Sequence, residues 1–215
     1  MIGVDEAGRG PVLGPLVVAA VLIDDAETFG TLGVKDSKKL TPARRERLFQ
    51  ELLSCTTVAV ESVEPCDIDG HRRSCSLNDI ETDTFVRALS RLPYRGQEIY
   101  VDCCDTVEER FGRLISERLG GARVHSRHHA DTEVPCVSAA SIVAKVVRDR
   151  AIASINEQVQ QRWGISAGSG YPIDATTVAF LRFVQRNEIR FPSFVRRSWA
   201  TARRFNQSTL DAHYE

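Results

Sequence analysis

Hydrophobic positions along this chain follow two rhythms. Some runs stay apolar or alternate over strand length, and longer stretches repeat every three to four residues, as helices do. "MIGVD" at 1–5 predicts a short buried strand, and "GPLVVAAVLID" at 14–24, rich in β-branched residues, predicts a second. Thr41 is placed to cap a helix with Pro42 at its first position, running to about Ser54 with Leu48, Phe49 and Leu52 on one face. "TTVAVESV" at 56–63 alternates as a strand does, and a helix over about 77–92 carries Leu77, Ile80, Phe85, Ala88, Leu89 and Leu92. "EIYVD" at 98–102 predicts a further strand, and Asp105 with Glu108 has capping-box spacing for the helix after it. "ARVHS" at 122–126 predicts a fifth strand, followed by a long helix over 137–161 whose small early residues suit a close approach to a sheet or ligand. "AGSGYP" at 167–172 breaks the chain before two shorter helices at 175–187 and 196–206. Five strands interleaved with helices indicate an α/β sheet followed by a small helical appendage.

Composition narrows the class. The 215 residues, 42% of them hydrophobic, suit one domain or one domain with a small appendage. The longest apolar run, "LVVAAVLI" at 16–23, has strand length and falls short of the ~18 residues a membrane span needs. No basic stretch precedes an apolar one at the N-terminus, so no secretory signal is expected. Six cysteines without a CxxC pair read as reduced thiols of a cytoplasmic protein. The net charge of −1 advertises no polyanionic partner, but the distribution says more. Only four of the 28 basic residues are lysines: Lys35, Lys38 and Lys39 in "VKDSKKL", and Lys145 in "SIVAKVVRDR". Compact ammonium groups suit phosphates as point charges. Between Arg182 and Arg204 stand seven arginines and a single acid, Glu188, with Phe183, Phe191, Phe194, Trp199 and Phe205 interleaved. That stretch fits a nucleic-acid face, or an amphipathic helical pair with a solvated rim.

The stretch "VDEAGRGPVLGP" at 4–15 carries the sharpest chemistry. Gly8, Gly10 and Gly14 do not form a dinucleotide loop, because Leu13 takes the last glycine position and prolines sit where the helix should begin. No Gly-Lys-Ser/Thr ending makes it a P-loop either. What remains is a turn whose backbone N–H groups can approach a ligand, with Arg9 projecting from it. Neighbouring strand residues face opposite ways, so Asp5 and Glu6 converge only if the strand ends or bulges at Glu6. Asp102, at the end of "EIYVD", is a third acid where open α/β sheets place ligands, and Asp131 in "RHHADTEVP" is a fourth. Asp105 is assigned to structure. Oxygen donors without convergent cysteine or histidine suit Mg²⁺ or Mn²⁺, and two such ions clamp an in-line phosphoryl displacement. His125, His128 and His129, with Cys136 beyond them, leave a zinc or thiol site as a weaker alternative.

The motifs "GVDEAGRGPVLGPLVVAAV", "DSKKLTPARRERL", "YVDCCD", "HHADTEVPCVSAASIVAKVVRDR" and "GSGYPID" resemble, in order, those of ribonuclease HII, the type 2 ribonucleases H, and most of all the archaeal branch. The likeness spans residues 1 to about 200. It implies a ribonuclease H-like fold, a five-stranded mixed sheet flanked by helices with a small C-terminal helical segment. The expected division is a catalytic domain at 1–170, a helical substrate-binding segment at 171–206 and a tail at 207–215. The resemblance implies endonucleolytic cleavage of RNA in RNA/DNA hybrids and at single ribonucleotides in duplex DNA, giving 5′-phosphate and 3′-hydroxyl ends. It assigns metal ligation and catalysis to Asp5, Glu6, Asp102 and Asp131 with a two-metal Mg²⁺ or Mn²⁺ site. Gly8, Arg9 and Gly10 are implied to bracket the ribonucleotide and Tyr171 to pack on the next deoxyribose; Ser37, Lys38 and Lys145 are implied to hold the substrate backbone. A monomer is expected. The 2′-hydroxyl distinguishes RNA from DNA, so a glycine turn that reads it and a ring that tests the next sugar for its absence form a coherent pair.

Two departures stand out. His129 occupies a position where the archaeal pattern tends to carry lysine, and Cys103 and Cys104 replace small residues, which suggests oxidation sensitivity. In "NQSTLDAHYE", Gln207, Leu210 and Tyr214 resemble a degenerate sliding-clamp-binding peptide in which His213 replaces an aromatic; a frayed terminus is the other reading. Two alternatives to the leading function are a related nuclease requiring longer RNA runs and a non-catalytic hybrid-binding protein.

Overall fold

A computed structural model describes residues 1–24 and 40–211, with side chains through 206. Ser37, Lys38 and the tail residues His213 and Tyr214, with the side chains of Gln207 and Leu210, lie outside the described residues. Five strands form one sheet: β1 (Ile2–Ala7), β2 (Leu16–Leu22), β3 (Thr57–Val63), β4 (Ile99–Asp102) and β5 (Val124–Arg127). Their order is β3-β2-β1-β4-β5, with β1 antiparallel to β2 and parallel to β4, and β4 parallel to β5. The described helices are α1 (Pro42–Cys55), α2 (Pro65–His71), α3 (Leu77–Ser90), α4 (Glu108–Arg118), α5 (Ala130–Glu133), α6 (Pro135–Trp163), α7 (Ala175–Arg186) and α8 (Ala200–Asp211). The mixed five-stranded sheet flanked by helices agrees with the expected fold class.

The molecule divides into two compact units. The first comprises Met1–Ala7, Val17–Ser62 and Ser76–Val147. Its sheet is apolar on both faces because helices cover both. One face sets Ala7, Val17, Ala19 and Val21 against α1 and the start of α6. The other sets Ile2, Val4, Val18 and Ala20 against Phe85 of α3 and Phe111 of α4, whose rings meet edge to face at 5.2 Å. Each fully buried side chain of this size contributes about 1.5–3 kcal/mol relative to exposure. Gly3 sets the approach of α6: a Cβ there would lie 2.1 Å from the backbone carbonyl of Cys136. The small residues seen early in α6, Ser138, Ala139, Ala140 and Ala144, are all buried at that approach.

The second unit comprises Gly8–Leu16, Val63–Cys75 and Arg148–Glu215. It is larger than the segment 171–206 expected from the sequence, because Val12 and Leu13 join the later part of α6 and α7 in one apolar cluster. An isolated antiparallel bridge, Leu13 to Val195, ties the glycine turn to the chain before α8.

Three local expectations are corrected. β1 does not end or bulge at Glu6: the antiparallel register runs on through Glu6↔Val18 and Ala7↔Val17, because β2 offers apolar partners that far. Asp105 does not cap a helix. α4 begins at Glu108 with Val107 as its N-cap, and Asp105 is instead bound by the guanidinium of Arg110 and the N–H of Thr106. The last helix starts at Ala200 rather than near 196, since the backbone N–H of Arg196 pairs with Val12 O at 2.9 Å.

Candidate metal and substrate sites

In the first unit, what ends at Val4 is not β1 but its pairing with β4, whose last register pair is Val4↔Val101. Asp5 and Asp102 are the next residues on each strand. In-register neighbours on parallel strands point to the same face, and such strands lie about 4.8 Å apart. The sheet therefore delivers two carboxylates side by side where the pairing of its two central parallel strands ends. Strand alternation sets Glu6 in the row of Ile2 and Val4 and Asp5 in that of Gly3 and Ala7, and the Glu6 charge lies near enough to raise the Asp5 carboxyl.

Asp5 is 4% exposed. Burial, then the charges of Glu6 and Asp102, push its carboxyl well above the usual aspartate value, against a lowering contribution from Ser141 and Lys145. Ser141 and Lys145 are one turn apart on α6, and Lys145 Nζ donates to Ser141 Oγ. The Lys145 expected to hold phosphate thus stands in the electrostatic field of the carboxylates. Asp102 Oδ1 accepts the backbone N–H of Ala130 at 2.7 Å, which tethers the start of α5, the short helix carrying the buried Asp131. His129 precedes α5 with φ 59, a left-handed conformation that turns the chain between β5 and that helix.

Among the described residues, no three His, Cys, Asp or Glu side chains stand close enough to hold a metal ion without adjustment. The donor set nonetheless suits a hard divalent cation. It is all oxygen, and its carboxylates repel one another in a buried setting that a cation would relieve. His125 instead pairs with Glu98 and stacks on Tyr100, and His128 Nδ1 lies 3.3 Å from Cys103 O. Cys136 is fully buried and pushed up to about 11, and burial likewise raises Cys103, so neither is poised as a thiolate.

In the second unit, the turn Gly8–Arg9–Gly10 is held from behind. Gly8 adopts φ +93, and a Cβ there would lie 2.6 Å from Pro15 O and 2.8 Å from Arg148 Cδ. Arg196, fully buried, donates through Nε to Gly14 O at 2.9 Å and through Nη1 to Arg9 O at 3.2 Å. Its guanidinium lies 4.8 Å from the Trp199 ring centroid, and Trp199 Nε1 donates to Gly10 O at 3.1 Å. Three carbonyls of the turn are thereby fixed by two side chains. Burial, then the charge of Arg148, lowers Arg196 to about 9.

Tyr171 belongs to the same construction. It is the side chain nearest a Cβ built on Gly10, at 4.0 Å, and it stays 41% exposed with the Arg148 guanidinium 5.0 Å from its ring centroid. Arg148 in turn donates to Ser169 O at 3.1 Å. Asp174 caps α7 and also accepts from the N–H and hydroxyl of Ser169; these bonds lower its carboxyl to about 2. Gly170 O accepts Val12 N–H at 2.7 Å, joining the tyrosine loop to the glycine turn. Sequence reasoning missed Arg148, Asp174, Arg196 and Trp199 as supports. Only the Asp174 capping position leaves a local signature.

A mixed sheet in this order, acids where the pairing of its two central parallel strands ends and helices on both faces define a ribonuclease H-like nuclease. The ribonuclease HII family model matches residues 2–202. Ribonuclease HII of Thermococcus kodakarensis is 43% identical over 99% of this chain and 97% of its own length. The crystal structure of ribonuclease H2 from Pyrococcus horikoshii superposes with a TM-score of 0.85 at 44% identity, covering 96% of this chain and 97% of that one. A ribonuclease HII from Archaeoglobus fulgidus, solved in complex with PCNA, gives a TM-score of 0.85 at 39% identity over 98% of both chains. The chain belongs to the ribonuclease HII family. It is accordingly a metal-dependent endoribonuclease of the ribonuclease H class, acting on RNA/DNA hybrids.

Proposed function

We propose that this enzyme also incises duplex DNA at single embedded ribonucleotides, leaving 5′-phosphate and 3′-hydroxyl ends. The observation that carries the catalytic part is the in-register placement of Asp5 beside Asp102, with the Asp5 carboxyl raised by burial and by its acidic neighbours. Asp5, Glu6, Asp102 and Asp131 would hold two Mg²⁺ or Mn²⁺ ions. When bound, such ions supply charge neutralisation at the phosphodiester and a more acidic attacking water. Asp102 would orient α5 through Ala130 while contributing its other oxygen. Lys145, and Ser37 and Lys38 outside the described residues, would hold backbone phosphates without reading sequence.

Recognition falls to the second unit. Main-chain groups of Gly8 and Gly10, with Arg9, would read the ribonucleotide's 2′-hydroxyl, and the exposed Tyr171 ring would pack on the following sugar and exclude a second 2′-hydroxyl. The segment 171–206 serves this binding. The PCNA complex of the Archaeoglobus relative supports reading Gln207, Leu210 and Tyr214 as a clamp-binding peptide. We take the working form as a cytoplasmic monomer; no helix among the described residues is long and apolar enough to cross a membrane.

Cleavage of a duplex containing one ribonucleotide, with and without Mg²⁺ and with the cut mapped, tests this reading. Mg²⁺-dependent incision on the 5′ side of the ribonucleotide is expected. Cutting of long hybrids but not of this duplex would make the protein a nuclease of longer RNA runs.

A further inference from the structure

The second unit contains a cavity that neither the carboxylates nor the glycine turn uses. It begins at α2, whose C-terminal end leads directly into Arg72 and Arg73. Asp69, on the last turn of α2, accepts from the backbone N–H of Arg197 at 2.7 Å, the N–H of Ser198 at 2.9 Å and the Ser198 hydroxyl at 2.6 Å. That latch draws α2 onto the segment preceding α8. Between them opens a cavity of about 610 Å³ lined by Arg72, Arg73, Arg197 and Arg203, with Asp69 the one acidic side chain in its wall.

The charge balance of this cavity is lopsided. Four arginines and one carboxylate line it; that carboxylate already accepts three hydrogen bonds from Arg197 and Ser198, and the Arg197 guanidinium donates only to a neutral carbonyl, Phe191 O, at 3.0 Å. Among the described residues, no carboxylate forms an ion pair with any of the four arginines. All four are exposed, so their side chains are not required by the apolar core. They come from two regions of chain more than 120 residues apart, and folding brings them to one wall (Asp69 and Ser198 are separated by 129 positions). Like charges gathered without a counter-charge cost free energy, which an anion would offset. Guanidinium groups match phosphate oxygens with paired N–H donors. The cavity has no glycine-rich cradle of backbone N–H groups of the kind that selects a nucleotide phosphate. Its donors are arginine side chains spread over an open wall, as suits a continuous row of phosphodiesters read for charge alone.

We infer that the cavity between α2 and the segment before α8 is a second anchoring site for the substrate duplex, taking phosphodiesters of its backbone on Arg72, Arg73, Arg197 and Arg203. The inference rests on the family's duplex substrate and is independent of which acids hold metal. The anchor adds affinity and no sequence or sugar preference. It is used only by duplexes long enough to reach it.

The test is the double substitution Arg72→Gln/Arg73→Gln, assayed on hybrids of increasing flanking length over a series of salt concentrations. The expected result is a KM raised about tenfold or more on long hybrids, with kcat unchanged. The slope of log KM against log salt should be shallower by roughly one to two, at about 0.9 for each phosphate the variant no longer neutralises. On the shortest hybrid the wild-type enzyme still cuts, variant and wild type should coincide. Arg72→Lys/Arg73→Lys should recover most of the salt slope, and Arg203→Gln should act in the same direction as the first pair. Equal KM and equal salt slope at every length would overturn the inference. So would a loss of kcat at all lengths together with a lowered melting temperature, which marks a structural role. Displacement of inorganic phosphate by the substitutions, with duplex binding untouched, would also overturn it and leave a small-anion site. If the wild-type enzyme cut no hybrid of any length, the fault would lie with the functional reading and not with this cavity.

Discussion

Asp5 and Asp102 hold the same rank on two adjacent parallel strands, each one residue past the last register pair, Val4↔Val101. The sheet therefore forces together two carboxylates that separation in sequence would keep apart. Burial raises the Asp5 carboxyl first, and the charges of Glu6 and then Asp102 raise it further.

Asp5→Asn should consequently separate stability from activity. A carboxyl whose folded value is raised gives full stability below its unfolded value of about 3.9 and loses it as pH rises towards the folded value. Wild-type protein without metal should thus be less stable at pH 7 than at pH 4 by this contribution, and Asp5→Asn should lack it. Thermal melts in chelator at both pH values check this: the variant should melt higher than wild type at pH 7. Its hybrid cleavage should fall about a thousandfold or more, as expected when several kcal/mol of transition-state stabilisation is removed.

Gly3 is required by a backbone, not by a flexible side chain. Gly3→Ala drives a methyl into the Cys136 carbonyl, 2.1 Å away, so α6 must shift off β1. A cost of about 3 kcal/mol is expected, which in a protein of this size lowers Tm by on the order of 5–10 °C. Ser141 and Lys145 ride on the same helix, so residual activity at a permissive temperature should fall as well. Calorimetry and a cleavage assay at low temperature measure the two effects.

Arg196 is the largest fully buried side chain among the described residues, and its fork fixes the carbonyls of Arg9 and Gly14. Arg196→Met leaves those acceptors unsatisfied, at about 1–3 kcal/mol each. Arg196→Lys supplies charge without the fork and should restore only part of the stability. In both variants KM for the single-ribonucleotide duplex should rise while the Mg²⁺ dependence of cleavage stays as in wild type. Steady-state kinetics at several Mg²⁺ concentrations check the split.

Asp174 anchors the loop that carries Tyr171. Its carboxyl lies at about 2, so the stability it contributes is present above the unfolded value of about 3.9 and is lost as pH falls through 2. Asp174→Ala should cost about 1 kcal/mol at pH 7, as loss of a helix cap does. The gap from wild type should close between pH 4 and 2 in denaturant titrations.

Most strands and helices are legible in the sequence because their apolar positions keep a period of two or near 3.6. α2 is not: "PCDIDGH" buries only Pro65 and Ile68, too few positions to show a rhythm. Ser76 and Asp79 form a true capping box, whereas Asp105 and Glu108 share its spacing without its function, because Arg110 takes the first carboxylate. Asp5 and Asp102 are legible as acids near strand ends, but the reason the two meet is not. A strand ending at Glu6 would have made Asp5 and Glu6 converge, whereas Asp5 and Asp102 meet through the register of β1 against β4, which a single strand's sequence does not encode. Arg196 and Arg197 look alike in "VRRSW". Only tertiary packing buries the first and exposes the second.

The central claim is that Asp5 and Asp102 form one metal-binding pair. Calorimetric titration of Mn²⁺ into the wild-type enzyme, Asp5→Asn and Asp102→Asn tests it without reference to cleavage. Affinity should drop more than about tenfold in each variant, since even loss of a ligand's supporting partner costs 10- to 100-fold. Wild-type affinity in either variant, with the fold intact, would contradict the account.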